Sequence, residues 1–210
     1  MLKNPWMTLA IGLMVGLAMG YIFAEQQPIP PGKAMRLGAP AAQAEGLPDG
    51  HPPLGSGGSG SETQMFQQQI SELSGLLAQN PSDPGLMVAM GDAYFELARA
   101  TMNPEQWQQS RSWYEKAMAQ GRGDDPNVLT DLGVVLRNLE EFDASVRLLD
   151  RAVSIEPQHW QAWFNLVIIK NFDLHDHEGA REAFVRLKAI ADVNPQVPDL
   201  TQIEAEVMSK

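Results

Sequence analysis

The residues with the most evident chemical potential are His175-Asp176-His177, flanked by Asp173 and Glu178. Two imidazoles with carboxylates on either side are the ligand types that hold zinc. A metal site also needs ligands from several elements, fixed by outer partners. Here all five residues fall in one short polar stretch, NFDLHDHEG, whose composition suits a turn between helices. The expectation is therefore no metal. Covalent catalysis has even less support. The chain contains no cysteine, which removes a thiol nucleophile, a thiolate zinc site, a disulfide and a Cys-x-x-Cys-His haem attachment site. No Ser–His–Asp order stands out, and the glycine-rich stretch at 55–60 lacks the lysine and the strand–helix context of a phosphate loop. The chain is expected to be no enzyme and to carry no cofactor.

A second set of residues points to recognition instead. Asp92, Phe95 and Glu96, with Val88, recur at helical spacing. So do Asn127, Thr130, Asp131, Val134, Arg137 and Asn138, and again Gln161, Phe164, Asn165, Ile168, Asn171 and Phe172. Amides and one arginine can bond a peptide backbone or a carboxylate, while phenylalanines supply pockets. Asn165 and Asn171 are the strongest candidates, being polar where packing gives little reason for it. Phe95 and Phe164 also read as partly core, and Asp131 with Arg137 as a surface pair of small energetic weight.

These residues need helices to hold them. Pro126–His159 reads PNVLTDLGVVLRNLEEFDASVRLLDRAVSIEPQH. Leu129, Leu132, Val135 and Leu136 line one amphipathic segment, and Val146, Leu149, Ala152, Val153 and Ile155 line the next, with Glu140-Glu141 as the turn. Leu132-Gly133, Leu136, Leu149, Ala152 and Pro157 resemble the tetratricopeptide repeat, a helix–turn–helix of about 34 residues. One such unit cannot bury its own apolar face, so neighbours must stack on it. Upstream, PGLMVAMGDAYFE places Met90-Gly91 and Tyr94 in register, with a partner helix at 107–120. Its Gly91-to-Ser110 spacing is seven residues longer than in the middle unit, so ELARATMNPEQ either extends the first helix or loops out, with Asn103-Pro104 able to cap a restart. Downstream, segments 160–172 and 180–191 form a third pair, with one residue inserted in the turn. Phe66, Ile70, Leu73, Leu76 and Leu77 predict a half repeat before the first unit. Leu200, Ile203, Val207 and Met208 predict a terminal cap. The predicted fold is all-α: a half repeat, three full repeats and a capping helix over residues 62–210.

Residues 66–195 resemble bacterial tetratricopeptide proteins that follow one N-terminal membrane helix. The phrases carrying the resemblance are VAMGDAYFE, NVLTDLGVVLRNLEEFDASVRLLDRAV and FNLVIIKNFDLHDHEGAREAF. Phe164-Asn165, Asp173-Leu174, Gly179-Ala180 and Phe184 make the last one similar to the tetratricopeptide subunits of c-type cytochrome biogenesis. The resemblance implies an assembly factor that binds apocytochrome tails or assembly partners and does no chemistry. It also implies that the first helices of the repeats line a concave groove, which gathers the recognition residues above into one site. Repeats that clamp a peptide's terminal carboxylates use lysines and asparagines there. With Arg137 as the one evident cation, that specificity is not expected.

The N-terminus supplies an anchor. After the short tail 1–5, residues 6–24 (WMTLAIGLMVGLAMGYIFA) are uncharged and span roughly 28 Å as a helix. The predicted orientation leaves the tail in the cytoplasm and the repeats on the periplasmic side of a bacterial inner membrane. A cleaved signal peptide ending near Ala18-Met19-Gly20 is the competing reading, though the apolar run continues past it. Thr8, Gly12, Gly16, Gly20 and Ala24 form a small-residue stripe on which another membrane helix can pack. Residues 25–61 are rich in Pro, Gly and Ser without periodicity and predict a disordered tether.

Of the net charge of −11, none lies in residues 1–61, where three basic residues balance three acidic ones. The repeats carry it all, which argues against nucleic acid as a partner. The expected partner is a protein or peptide client. A permanent structural subunit of an electron-transfer complex, or a self-associating repeat protein, are the alternatives.

Overall fold

The computed structural model describes residues 59–209, and every element among them is helical. The predicted span 6–24, its small-residue stripe and most of the tether 25–61 lie outside the described residues. Among the described residues, no helix is long and apolar enough to cross a membrane.

Helix α1 covers Ser59–Gln79. Three antiparallel pairs follow: α2 (Pro84–Thr101) with α3 (Pro104–Ala117), α4 (Pro126–Asn138) with α5 (Phe142–Ile155), and α6 (Trp160–Ile168) with α7 (His177–Ala191). Helix α8 (Thr201–Met208) closes the series. Each helix packs on the next in sequence, and α4 also touches α6, so the first helices of the second and third pairs lie side by side.

Local chemistry explains three of the starts. Asp83, Asn103 and Asp125 each take an extended conformation and accept hydrogen bonds from backbone N–H groups of the next turn, and each precedes a proline. The side chain satisfies orphan donors, and proline forfeits a donor that has no partner in a first turn anyway. The ambiguous segment after Tyr94 resolves accordingly. The helix of the first pair runs on to Thr101, ends at Met102 in a left-handed conformation with φ of 53°, and restarts at the Asn103 cap.

The same serine hydrogen bond pins each of the first two pairs. Ser110 Oγ donates to the Gly91 carbonyl at 2.9 Å, and Ser145 Oγ donates to the Gly133 carbonyl at 2.5 Å. The seven-residue offset in the sequence preserves this contact. The helices touch there: a Cβ on Gly133 would lie 3.0 Å from the Leu149 side chain.

The residue inserted in the third repeat is absorbed by the helix. Ile169–Asp173 form a π-helical turn continuing α6, with Leu174 N–H bonded to the Ile169 carbonyl at 2.9 Å. The core is continuous through the pairs. Leu73 and Leu77 of α1 pack with Met87, Met90, Ala93 and Ala117, and next to them Trp107, Tyr114, Val128, Leu132, Val135 and Leu136 form a second cluster. Leu76, expected on the inner side of α1, is exposed, and so is Met208 of the cap.

Candidate functional site: the face of the first helices

The face under scrutiny is built by α2, α4 and the segment from α6 through its π turn. Helical spacing puts Val88, Asp92, Phe95 and Glu96 on one side of α2, and Asn127, Asp131, Val134 and Asn138 on one side of α4. Among these, Asp92, Asn127 and Asn138 are exposed, while Val88, Phe95, Glu96, Asp131 and Val134 are partly buried. Phe95 meets the Trp107 ring edge-on, with centroids 5.2 Å apart, so its body belongs to the core as much as to the face.

Five of the recognition residues read from the sequence are withdrawn from solvent: Thr130, Phe164, Asn165, Ile168 and Asn171. Thr130 donates to the Pro126 carbonyl at 2.7 Å, and Asn165 donates to the Gln161 carbonyl at 2.8 Å. Both are helix back-bonds that let a polar side chain be buried at small cost. Asn171 is 0% exposed, and its Oδ1 lies 2.9 Å from His177 Nδ1. It ties the π turn to the start of α7. Asn165 and Asn171 thus help hold the third pair together, and the expectation of them as leading groove contacts is corrected. The physical reason is that α6 is strongly apolar and buries seven of its nine residues, leaving only Gln161 and Trp163 partly exposed. Phe172 remains partly buried beside them.

Arg137 is committed too. Its Nε and Nη2 donate to Asp173 at 2.5 and 3.3 Å, bridging the second and third pairs. Its expected partner, Asp131, pairs with nothing: among the described residues that carboxylate makes no hydrogen bond and no ion pair. Asn138 Nδ2 bonds its own helix at the Val134 carbonyl.

The acids of the face were underestimated by sequence reasoning. Asp92 is exposed at the surface of the face. It accepts a 2.7 Å hydrogen bond from the hydroxyl of Tyr114, which is 1% exposed. Desolvation pushes the Asp92 carboxyl up to about 6, against the pull of the Tyr114 hydrogen bond. Burial likewise holds the Asp131 carboxyl well above the usual carboxylate range, and the charge of Asp92 adds to it. Glu96 is raised by burial as well, partly offset by Arg99, which it binds at 2.8 and 3.0 Å.

Among the described residues, no group of three or more His, Asp or Glu side chains could hold a metal ion. The rings of His175 and His177 lie 6.2 Å apart, with His177 turned toward Asn171.

The sequence matches no family model and no curated protein. Solved structures do share the architecture. A MamA RS-1 ArsTM double mutant superposes with a TM-score of 0.55 at 15% identity, over 63% of this chain and 69% of that one. MamA MSR-1 C2 gives 0.53 at 17% identity, over 63% and 71%. The fold is a TPR-like solenoid. YrrB, described as a TPR protein with an unusual peptide-binding site, aligns with a TM-score of 0.42 at 13% identity over 65% and 84%, too loosely to carry an argument.

Proposed function

We propose that this protein is a scaffold or assembly factor that holds a client protein or peptide on the face of its first helices, and that it is tethered to a membrane by residues 6–24. One observation carries the reading. The face combines partly buried apolar side chains (Val88, Phe95, Val134) with exposed amides (Asn127, Asn138) and the acids Asp92 and Asp131. That mixture suits a polypeptide surface, with apolar anchors in pockets and polar groups fixing register. The membrane span, the periplasmic placement and a role in assembling c-type cytochromes or another membrane complex rest on the sequence resemblance.

The face is tested with a photoactivatable residue at Val134 of the full-length protein in native membranes. Val185, 60% exposed on α7, serves as the control position. A discrete polypeptide adduct at Val134 and none at Val185, with the captured peptide identified by mass spectrometry, is the expected result. Labelling that is equal at both positions, or absent from both, overturns the reading. Anchoring is tested separately: the chain should resist carbonate extraction, and soluble mature protein beginning at Tyr21 would refute it.

A further inference from the structure

We propose that the turn joining the second and third pairs is a pH-sensitive latch: the neutral His159 ring holds it closed, and protonation releases the ring toward Glu156 and opens the first turn of α6. The inference is independent of the client-binding reading and concerns how the array itself is held together.

The connection between α5 and α6 is Glu156-Pro157-Gln158-His159. The first three residues are exposed, and His159 is the one that is buried. It occupies the cap position of α6, where a short polar side chain would accept from the first turn. His159 makes no such bond. Its side chain is 6% exposed, and the neighbouring Trp160 is 4% exposed. The turn is closed through the same residue. The His159 N–H donates to the Glu156 carbonyl at 3.0 Å, and its carbonyl accepts from the Ala162 and Trp163 N–H groups at 3.2 and 3.4 Å. The Trp163 indole N–H donates across it to the Pro157 carbonyl at 3.0 Å.

A neutral imidazole is tolerated in this position and an imidazolium is not. Nε2 is buried without a hydrogen-bond partner. Protonation of either neutral tautomer gives an ion with an N–H at Nε2, and that donor meets no acceptor. Burying the charge and the orphan donor together costs free energy. Glu156 offers the protonated ring another place. Its Oε2 lies 3.6 Å from Nδ1, just beyond hydrogen-bond contact, on a side chain that is 53% exposed. A short outward swing brings the two together in solvent. The charged groups facing the ring are Glu156 at the end of α5 and Asp125 at the cap of α4, and Arg122 holds Asp125. Burial outweighs the pull of the two carboxylates and lowers the pKa of the closed ring. The open turn therefore binds the proton more readily than the closed one. Closure is fully favoured above about pH 6.5 and weakens as pH falls below it.

The test follows amide hydrogen exchange by mass spectrometry on the full-length protein in detergent at pH 7.5 and 5.5, with rates corrected for the intrinsic pH dependence of exchange. Exchange over residues 157–164 should accelerate up to about tenfold at the lower pH, relative to the corresponding turn at 139–146. His159→Gln should abolish the acceleration. His175→Gln, at an exposed position, should keep it. Glu156→Gln should move the onset to lower pH, because that carboxylate draws the proton onto the ring. Circular dichroism checks that each variant is folded. If His159→Gln is not, the unmodified protein decides: the imidazole carbon shifts of His159 should follow the same pH course as the exchange. Equal acceleration in both turns, acceleration in neither, or an acceleration that survives His159→Gln overturns the proposal. So does a His159 that titrates while residues 157–164 stay protected.

Discussion

A Cβ on Gly91 would stand 2.6 Å from Cε1 of Tyr114, closer than two carbons can approach. The glycine therefore exists to let α2 and α3 meet over an aromatic ring. That contact aims the Tyr114 hydroxyl at Asp92, the next residue along. Packing in the first pair and electrostatics on its open face share one side chain.

Gly91→Ala should accordingly destabilise the domain. Alanine gains roughly 1 kcal/mol of helix propensity over glycine, but displacing a fully buried ring costs about 1–3 kcal/mol. The expected net loss is up to about 2 kcal/mol, seen as a lower urea midpoint with unchanged slope. Gly133→Ala should be milder, because Leu149 meets the new methyl group with the flexible end of its side chain, at 3.0 Å.

Tyr114→Phe keeps the ring and removes the hydroxyl. Losing that hydrogen bond should cost about 1 kcal/mol. It should also push the Asp92 carboxyl further up, because the Tyr114 hydrogen bond is what lowers it. Carboxyl carbon chemical shifts followed against pH report the change. A downward move of Asp92 would contradict the geometry described.

Stability should vary with pH in two opposed ways. The raised carboxyls of Asp92 and Asp131 bind protons more readily in the folded chain, so their contribution declines as pH rises from about 4 toward and beyond 6. His159 is buried, with Nε2 unpartnered, and burial lowers its pKa against the pull of Glu156 and Asp125. The folded chain therefore resists its protonation, and that contribution is lost as pH falls below about 6.5. Asp131→Asn should raise the urea midpoint at pH 7 more than at pH 4.5. His159→Gln should lessen the acid-side loss. Parallel shifts at both pH values in both variants would show that neither group titrates as described.

The Arg137–Asp173 pair should couple the second and third repeats. Both side chains are largely shielded from solvent, at 24% and 17% exposure. A double-mutant cycle with Arg137→Ala and Asp173→Ala should give a coupling energy of about 1 kcal/mol.

Much of the fold was legible without coordinates because its determinants are local. Helical periodicity, the Asp83-Pro84, Asn103-Pro104 and Asp125-Pro126 starts, and the glycines at 91 and 133 act within a turn or across one hairpin. The seven-residue offset between Gly91 and Ser110 was countable, and the same serine-to-carbonyl bond appears in both pairs. The fate of the candidate site was not local. Whether Asn165 and Asn171 face a client or the interior depends on how many elements cover α6, which no single repeat encodes. Arg137 finds Asp173 across 36 positions rather than Asp131 on its own helix. The sequence by itself determined the helices, their pairing and a stripe of polar and aromatic residue types along the first helices, because those follow from nearest-neighbour spacing along the chain. Only the tertiary structure decided which polar groups on that stripe are satisfied and which still lack a partner, because satisfaction depends on distances between groups far apart in sequence.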